Sequence, residues 1–168
     1  MKGGNQKLMM NQPVEETLGD LLRESNLTLA TAESCTGGLL GHLITNVPGS
    51  SDYYLGGMVT YSNDAKARLL GVNPDTLGSH GAVSQETVLE MAEGARLAFD
   101  AEIGVSISGV AGPSGGTSEK PVGLVCIGLS ATRYVRAWEH HFPGNRLKIK
   151  EQSARAAIQH LIDYLNEL

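Results

Sequence analysis

The stretch Thr31-Ala32-Glu33-Ser34-Cys35-Thr36-Gly37-Gly38 decides how this chain folds. The apolar, β-prone residues 27–30 precede it, and residues 39–44 after it repeat apolar side chains at helical spacing. The pattern therefore predicts a strand, a tight turn and a helix. Such a turn lies at the carboxyl end of a strand, where open α/β sheets bind their ligands.

The turn offers Ser34 one of two roles. As a nucleophile, it would have the backbone N–H groups of Cys35, Thr36, Gly37 and Gly38 beside it as oxyanion donors. As a plain N-cap, it would only open the helix, which is what many serines do. The residues elsewhere in the chain are needed to distinguish these two roles.

The composition is that of a globular protein, and it limits the classes of molecule that the chain is expected to bind. Its 168 residues suit one domain, and 41% of them are hydrophobic while 18% are charged. The formal net charge is -5 and no long basic run occurs, so we expect neither nucleic acid nor an anionic membrane as a partner. We expect residues 1–12 to be a disordered leader and residues 13–168 to form the domain.

The cysteines and histidines give no sign of a metal or a disulfide. Cys35 and Cys126 form neither a disulfide framework nor a metal-ligand spacing, and His140 and His141 are adjacent, so a strand would point them to opposite faces. We expect no metal and no cofactor. No apolar run reaches the ~20 residues that a membrane helix needs, and the amino terminus lacks a secretory signal. These observations predict a cytoplasmic protein.

Apolar periodicity and turn residues predict an alternation of strands and helices. Helices are predicted at about residues 14–25, 37–45, 65–70 and 146–166. A short helical turn is predicted from residue 73, and a longer helix is predicted after Ser84. Strands are predicted at about 28–32, 56–62, 101–108, 122–130 and 134–142. The three-residue connection 131–133 requires its two strands to be antiparallel. We therefore predict a three-layer α/β/α sandwich with a mixed, mainly parallel sheet that includes an antiparallel hairpin.

A nucleophilic serine needs a base, and Lys66 is the best candidate. His42 and His80 are available, but each fits a surface position better. A buried, neutral lysine can activate a serine, and Lys66 follows the predicted second strand by one turn. Tyr61, which would close that strand, could exchange a proton between Lys66 and Ser34. The plain alternative is a solvated helix lysine and a strand tyrosine.

A second glycine-rich loop, residues 109–117, directly follows the predicted third strand. It matches neither a Walker loop nor a dinucleotide fingerprint, but its glycines permit a ligand to approach the backbone. Arg146 opens the last helix, where a guanidinium could hold a phosphate. We expect Ser108, Gly109, Ala111, Gly112 and Arg146 to bind the substrate; the alternatives are a plain turn and a surface arginine.

Six collinear motifs together resemble the C-terminal domain of the CinA (competence/damage-inducible) family. The matching stretches are Ala32-Glu33-Ser34-Cys35-Thr36-Gly37-Gly38, Val59-Thr60-Tyr61-Ser62-Asn63 with Ala65-Lys66, His80-Gly81-Ala82-Val83-Ser84, Ser106-Ile107-Ser108-Gly109-Val110-Ala111-Gly112-Pro113, Lys120-Pro121-Val122-Gly123 and Phe142-Pro143-Gly144-Asn145-Arg146. Each motif is weak alone, but their order covers nearly the whole chain after residue 27.

The resemblance implies a function. Stand-alone members of the family, often called PncC, are nicotinamide mononucleotide amidohydrolases of pyridine nucleotide salvage. It implies hydrolysis of the carboxamide of nicotinamide mononucleotide (NMN) to nicotinate mononucleotide and ammonia, with Ser34 as nucleophile and Tyr61 and Lys66 as its proton-handling partners. It also implies a metal-free reaction and a homodimer. The pyrophosphatase activity of the family's separate N-terminal domain is not expected here.

Two positions depart from the family's pattern, and three other functions stay open. Asn145 stands where members often carry Asp, which affects helix capping, and Lys150 stands where they often carry Arg, which could weaken a phosphate contact. The alternatives are an enzyme with Cys35 as nucleophile, its thiol pKa lowered at the helix N-terminus; a non-catalytic nucleotide-binding or regulatory module; and a structural interaction protein.

Overall fold

The computed structural model describes residues 12–168, so the expected leader lies outside the described residues except for Gln12. Within that part of the chain five strands and six α-helices are present, with one short 3₁₀ helix at Ser50–Asp52. The strands are β1 (Leu29–Glu33), β2 (Tyr54–Val59), β3 (Ile103–Gly109), β4 (Leu124–Ala131) and β5 (Tyr134–His141). The helices are α1 (Val14–Ser25), α2 (Leu39–Thr45), α3 (Asn63–Leu70), α4 (Pro74–His80), α5 (Gln85–Ala98) and α6 (Arg146–Asn166).

The strands form one mixed sheet in the order β2-β1-β3-β4-β5. Strand β1 pairs in parallel with both β2 and β3, whereas β3 with β4 and β4 with β5 are antiparallel pairs. Four strands therefore run in the same direction and β4 alone is reversed. This confirms the predicted α/β class, the mixed and mainly parallel sheet, and the hairpin of β4 and β5.

Helices cover both faces of the sheet, because the strands alternate their side chains between two cores. On one face, α1, α2 and α6 pack on a core that includes Leu29, Val105 and Ile127. On the other face, α3 and α5 pack on a core that includes Ala30 and Met91. The centre of the sheet is buried on both sides, which gives the rigid frame on which a site can be built.

Helix α5 approaches the sheet unusually closely at Gly104. A Cβ atom on that residue would lie 2.0 Å from the carbonyl oxygen of Ala92. Only a glycine in β3 allows the helix backbone to rest there, and this contact sets the distance between the two layers.

Several predicted boundaries differ from the structure by one to three residues, and those of β2 and α2 have a local cause. Strand β2 begins at Tyr54 rather than at Gly56 and ends at Val59, because the Ser62 side chain accepts a hydrogen bond from Ala65 N–H and turns the chain into α3. The N-cap of α3 is therefore Ser62. Helix α2 begins at Leu39, not at 37.

No helix within residues 12–168 combines the length and the apolar character that crossing a membrane requires.

Candidate active site

The site lies at the edge of the sheet where the four parallel strands end. Ser34 follows β1, Tyr61 follows β2, the glycine-rich loop follows β3, and Arg146 follows β5 by a short turn. Because the carboxyl ends of strands with the same direction meet at one edge, segments far apart in sequence converge there. Strand β4, which runs the other way, begins at this edge and so closes the glycine-rich loop.

Ser34 and Lys66 are in direct contact. The Nζ atom of Lys66 lies 3.0 Å from Ser34 Oγ and donates a 2.8 Å hydrogen bond to the carbonyl oxygen of Thr60. The lysine is 1% exposed and the serine 8%. Lys66 is therefore buried against Ser34 and is not a solvated surface lysine, while its role as the base of Ser34 stays a prediction.

The surroundings of Lys66 favour a neutral amine. No carboxylate forms an ion pair with it within residues 12–168, and burial lowers the pKa of its amine below the ordinary value. A neutral amine can donate to Thr60 and still present a lone pair to the hydroxyl proton of Ser34. The arrangement thus has what a general base for Ser34 needs.

Glu33 organises the turn that carries Ser34. Its carboxylate is 2% exposed and accepts hydrogen bonds from the backbone N–H groups of Gly38 (3.1 Å), Leu40 (3.0 Å) and Gly41 (2.8 Å). These are the free donors of a helix N-terminus, which favours a negative charge. Glu33, rather than Ser34, therefore caps α2, and Ser34 is left free to face Lys66.

This cap changes the expected set of oxyanion donors. The N–H of Gly38 is bound by Glu33, and the N–H of Gly37 donates to the carbonyl oxygen of Ser34 at 3.1 Å. Gly37 and Gly38 both have positive φ angles, 61° and 101°, which explains why the helix cannot start there. Of the four expected donors, the N–H groups of Cys35 and Thr36 have no acceptor in the described part of the chain. Two of the four therefore remain.

Cys35 does not have the properties of a reactive thiol. It is 5% exposed, and burial, with a smaller contribution from the charge of Glu33, raises its pKa to about 11. The expected lowering of the thiol pKa at the helix N-terminus is wrong, because burial outweighs it and Glu33 already accepts from the N–H groups of that N-terminus. A protonated thiol is a poor nucleophile, which weakens the alternative in which Cys35 attacks the substrate.

A cleft of about 270 Å³ opens over Ser34 and Lys66. Its wall contains Ser34, Cys35, Tyr61, Lys66, Ala82, Val83, Ser108, Gly109, Val110, Ala111, Gly112, Ser114, Gly115 and Arg146. The proposed catalytic and substrate-binding residues thus share one cleft, whereas Thr36, Gly37 and Gly38 do not line it. Ser108 is buried and its hydroxyl donates to the carbonyl oxygen of Ala82 at 2.7 Å, so it fixes the wall rather than offering a free hydroxyl.

Tyr61 and Arg146 meet at the mouth of the cleft. Arg146 donates from Nη2 to the phenol oxygen of Tyr61 at 3.0 Å and from Nη1 to the carbonyl oxygen of Gly112 at 2.7 Å. Tyr61 is 61% exposed and has no hydrogen bond to Ser34 or Lys66 among the contacts of residues 12–168. The expected proton exchange through Tyr61 therefore has no hydrogen-bonded path in this structure.

The two histidines considered as bases lie elsewhere. His42 is exposed and contacts the Asn46 side chain, and His80 is exposed and faces Glu86. Neither lines the cleft. Across residues 12–168, no group of three or more His, Cys, Asp or Glu side chains is placed to hold a metal ion.

Two features of the site were not predicted from the sequence. The role of Glu33 as a cap could have been suspected, since an acid beside a helix start is favourable. The Thr60 carbonyl could not, because its contact with Lys66 depends on how the chain leaves β2. Of the two departures from the family's pattern, Asn145 still caps its helix, accepting from the Lys148 N–H at 3.0 Å, and Lys150 lies near Gly37.

The fold and the site together define an α/β protein with a buried serine–lysine pair at the carboxyl edge of its sheet. The sequence profile of the CinA C-terminal domain matches residues 11–165. The chain is 50% identical over 155 residues to the CinA-like protein of Thermotoga maritima and 45% identical over 168 residues to that of Chloroherpeton thalassium. The chain belongs to the CinA C-terminal domain family.

The alignments cover 92% and 98% of this chain, but the chain spans only 38% and 40% of the lengths of those two proteins. Solved structures match over nearly their full length. Competence/damage inducible protein CihA from Agrobacterium tumefaciens superposes with a TM-score of 0.85 at 40% identity, covering 92% of this chain and 97% of that one. A CinA superfamily protein from Klebsiella pneumoniae gives 0.88 at 32% identity, covering 94% and 100%.

Proposed function

We propose that the chain hydrolyses the carboxamide of NMN to nicotinate mononucleotide and ammonia, with Ser34 as the nucleophile and Lys66 as its base. The observation that carries the proposal is the buried contact of 3.0 Å between Ser34 Oγ and an amine that has no acidic partner in residues 12–168. A binding module has no need of a lysine kept out of water beside a serine. The choice of NMN rests on the family resemblance.

In the first half of the reaction, Lys66 takes the hydroxyl proton while Ser34 Oγ attacks the carboxamide carbon. The oxyanion that forms is met by the backbone N–H of Cys35, the one residue of the four expected donors that lines the cleft; one such donor typically contributes about 3 kcal/mol. Protonated Lys66 returns its proton to the amide nitrogen. The C–N bond breaks, ammonia leaves, and the acyl group stays on Ser34.

In the second half, Lys66 takes a proton from a water molecule that attacks the acyl carbon. The tetrahedral intermediate collapses, the bond from the acyl carbon to Ser34 breaks, and Lys66 gives the proton back to Ser34 Oγ. Nicotinate mononucleotide is released. The same pair of side chains therefore serves both halves, which requires an amine whose pKa is low enough to be neutral when the reaction starts.

The cleft also suits an anionic substrate. No Asp or Glu is among the described residues that line it, while Arg146 at its mouth has no acidic partner in that part of the chain. A guanidinium binds phosphate well. Binding of a remote phosphate would hold a weakly electrophilic amide against Ser34 and supply orientation.

The test is release of ammonia from NMN by the purified protein and by two variants. Ser34→Ala should abolish release while the protein stays folded, and Cys35→Ser, the matched control, should retain it. Full activity of Ser34→Ala, or loss of activity in Cys35→Ser with retained activity in Ser34→Ala, would contradict the assignment. Binding of NMN without any ammonia would favour the nucleotide-binding module. The cytoplasmic location and the homodimer remain predictions.

A further inference from the structure

A cluster of aromatic and imidazole rings lies between the edge strand β5 and helix α6. Trp138, His140 and Phe142 alternate along β5 and its end, so their side chains share the face that α6 covers. His160, from α6, stacks on the Trp138 ring, with the centroids 3.9 Å apart and 8° between the planes. His140 stacks on Phe142 at 5.0 Å and 10°. None of these four residues lines the cleft over Ser34.

The two histidines of this cluster present the same ring nitrogen to each other. Their Nε2 atoms lie 2.8 Å apart across the contact between β5 and α6. In the plain interpretation, one neutral ring donates a hydrogen bond to the other. Imidazole is also the commonest metal ligand of proteins. Burial lowers the pKa of both rings, that of His160 to about 4, so at pH 7 both have the neutral form that binds metals.

The separation of the two nitrogens indicates which metal would fit between them. Two nitrogen ligands at about 2.0–2.1 Å from an ion are about 2.9 Å apart at neighbouring corners of a square, and about 3.3 Å apart in a tetrahedron. The observed 2.8 Å matches the square arrangement, which Cu²⁺ and Ni²⁺ prefer. It is short for a tetrahedral Zn²⁺ site.

The surroundings of the pair leave the other coordination positions open. Across the described residues no group of three or more His, Cys, Asp or Glu side chains is placed to hold a metal ion, so protein would supply two ligands and water the rest. His140 and His160 are both partly exposed, which gives water and an ion access. The charges that act on His160 are of both signs, from Asp163 and Arg136, so they do not combine to repel a cation.

We propose that His140 and His160 form a two-histidine site for a divalent transition metal of the Cu²⁺ or Ni²⁺ type, which binds through the two Nε2 atoms and links β5 to α6. The inference does not depend on the reaction proposed above, because the site shares no residue with the cleft. It departs from the expectation of no metal. That expectation came from spacing, whereas these histidines are 20 residues apart and meet only where α6 packs on β5.

The test uses the fluorescence of Trp138, the only tryptophan in the chain. Because its ring stacks on His160, a bound Cu²⁺ or Ni²⁺ should quench its emission, saturably and at one ion per chain in calorimetry. His140→Phe and His160→Phe should each raise the Kd by about a hundredfold or more, since loss of a group that only supports a ligand already costs about 10–100-fold. His141→Phe is the matched control. It is next to His140 but contacts Glu139 on the opposite side of the strand, so the Kd should stay within about twofold.

The electron paramagnetic resonance spectrum of the Cu²⁺ complex should show two equatorial nitrogens, and Ni²⁺ should bind more tightly than Zn²⁺. An unchanged Kd in the two histidine variants, or quenching that stays linear with added Cu²⁺, would overturn the proposal and leave the pair as a hydrogen bond. Tighter binding of Zn²⁺ than of Ni²⁺ would refute the square geometry. Circular dichroism checks the fold of each variant; if His160→Phe does not fold, His140→Phe on the edge strand decides the result.

Discussion

Replacing Lys66 by methionine separates the chemistry of the site from its packing. Methionine keeps most of the length and apolar volume of the lysine stem, so the buried space stays filled. What disappears is the amine, with its hydrogen bonds to Ser34 Oγ at 3.0 Å and to the Thr60 carbonyl at 2.8 Å. The variant therefore removes the proposed base without creating a cavity.

The expected effect on stability is small and the effect on rate is large. Leaving the buried Thr60 carbonyl without a partner costs about 1–3 kcal/mol, but the variant no longer has to bury an amine and strip it of its proton. We expect the free energy of unfolding at pH 7 to change by less than about 2 kcal/mol. Loss of a general base typically lowers the rate by about 10²–10⁴-fold, or about 3–5 kcal/mol of transition-state stabilisation.

The pH dependence gives a second readout with a definite sign. Because the pKa of Lys66 is lower in the folded protein than its ordinary value of 10.5, the unfolded chain binds more protons between those two values. The wild-type protein should therefore gain stability relative to Lys66→Met as the pH rises through that window. Its kcat/KM for NMN should rise with pH as the amine becomes neutral.

Urea unfolding of both proteins over a pH series, with ammonia release measured in the same buffers, carries out the comparison. Activity within a few-fold of wild type in a folded Lys66→Met protein would refute the role of Lys66 as base. A stability difference that falls with rising pH would refute the argument that burial favours the neutral amine.

Three further predictions concern the Glu33 cap, the pair His140 and His160, and Gly104 beneath α5. Glu33→Gln should lower the free energy of unfolding by about 2–3 kcal/mol in urea, because a charged acceptor of three N–H groups is lost. The Nε2 atoms of His140 and His160 are 2.8 Å apart, and burial lowers both pKa values, that of His160 to about 4. Since the unfolded chain then binds more protons, stability should fall by about 1–3 kcal/mol as the pH drops from 6.5 to 4, and His160→Phe should flatten this dependence in thermal unfolding. Gly104→Ala should destabilise by about 3 kcal/mol, because its Cβ would overlap the Ala92 carbonyl; an unchanged Tm would contradict this.

The order of strands and helices was predictable because helix-capping residues and glycines mark where the elements begin and end. Asn73 and Ser84 cap α4 and α5 as expected, and Gly71 follows α3 directly. The end of β2 was not predictable from propensity, since Thr60 and Tyr61 favour strands. Thr60 still donates its N–H to the Glu33 carbonyl oxygen of β1 at 2.8 Å, and the Ser62 cap then turns the chain into α3, so local chemistry overrides propensity.

Candidates for the site could be named from the sequence, but their contacts could not. Ser34 and Lys66 are separated by 31 residues, and only the parallel pairing of β1 with β2 brings them together. The sequence equally allowed Cys35 a lowered thiol pKa, and that expectation failed chiefly because the thiol is buried, with the charge of Glu33 as a smaller cause. Which of the two neighbouring side chains is activated depends on the burial and contacts of each, and spacing alone does not show these.

Within residues 12–168 Lys66 has no acidic partner, and this has a consequence for how dissolved salt would act on the proposed reaction. Burial shields the Lys66 amine from mobile ions, whereas the guanidinium of Arg146 lies at the cleft mouth, within reach of an ionic atmosphere about 8 Å thick at physiological ionic strength. Raising ionic strength should therefore weaken capture of the substrate and leave the bond-making step untouched. We therefore expect kcat to be nearly independent of ionic strength, while the KM for the substrate rises with it.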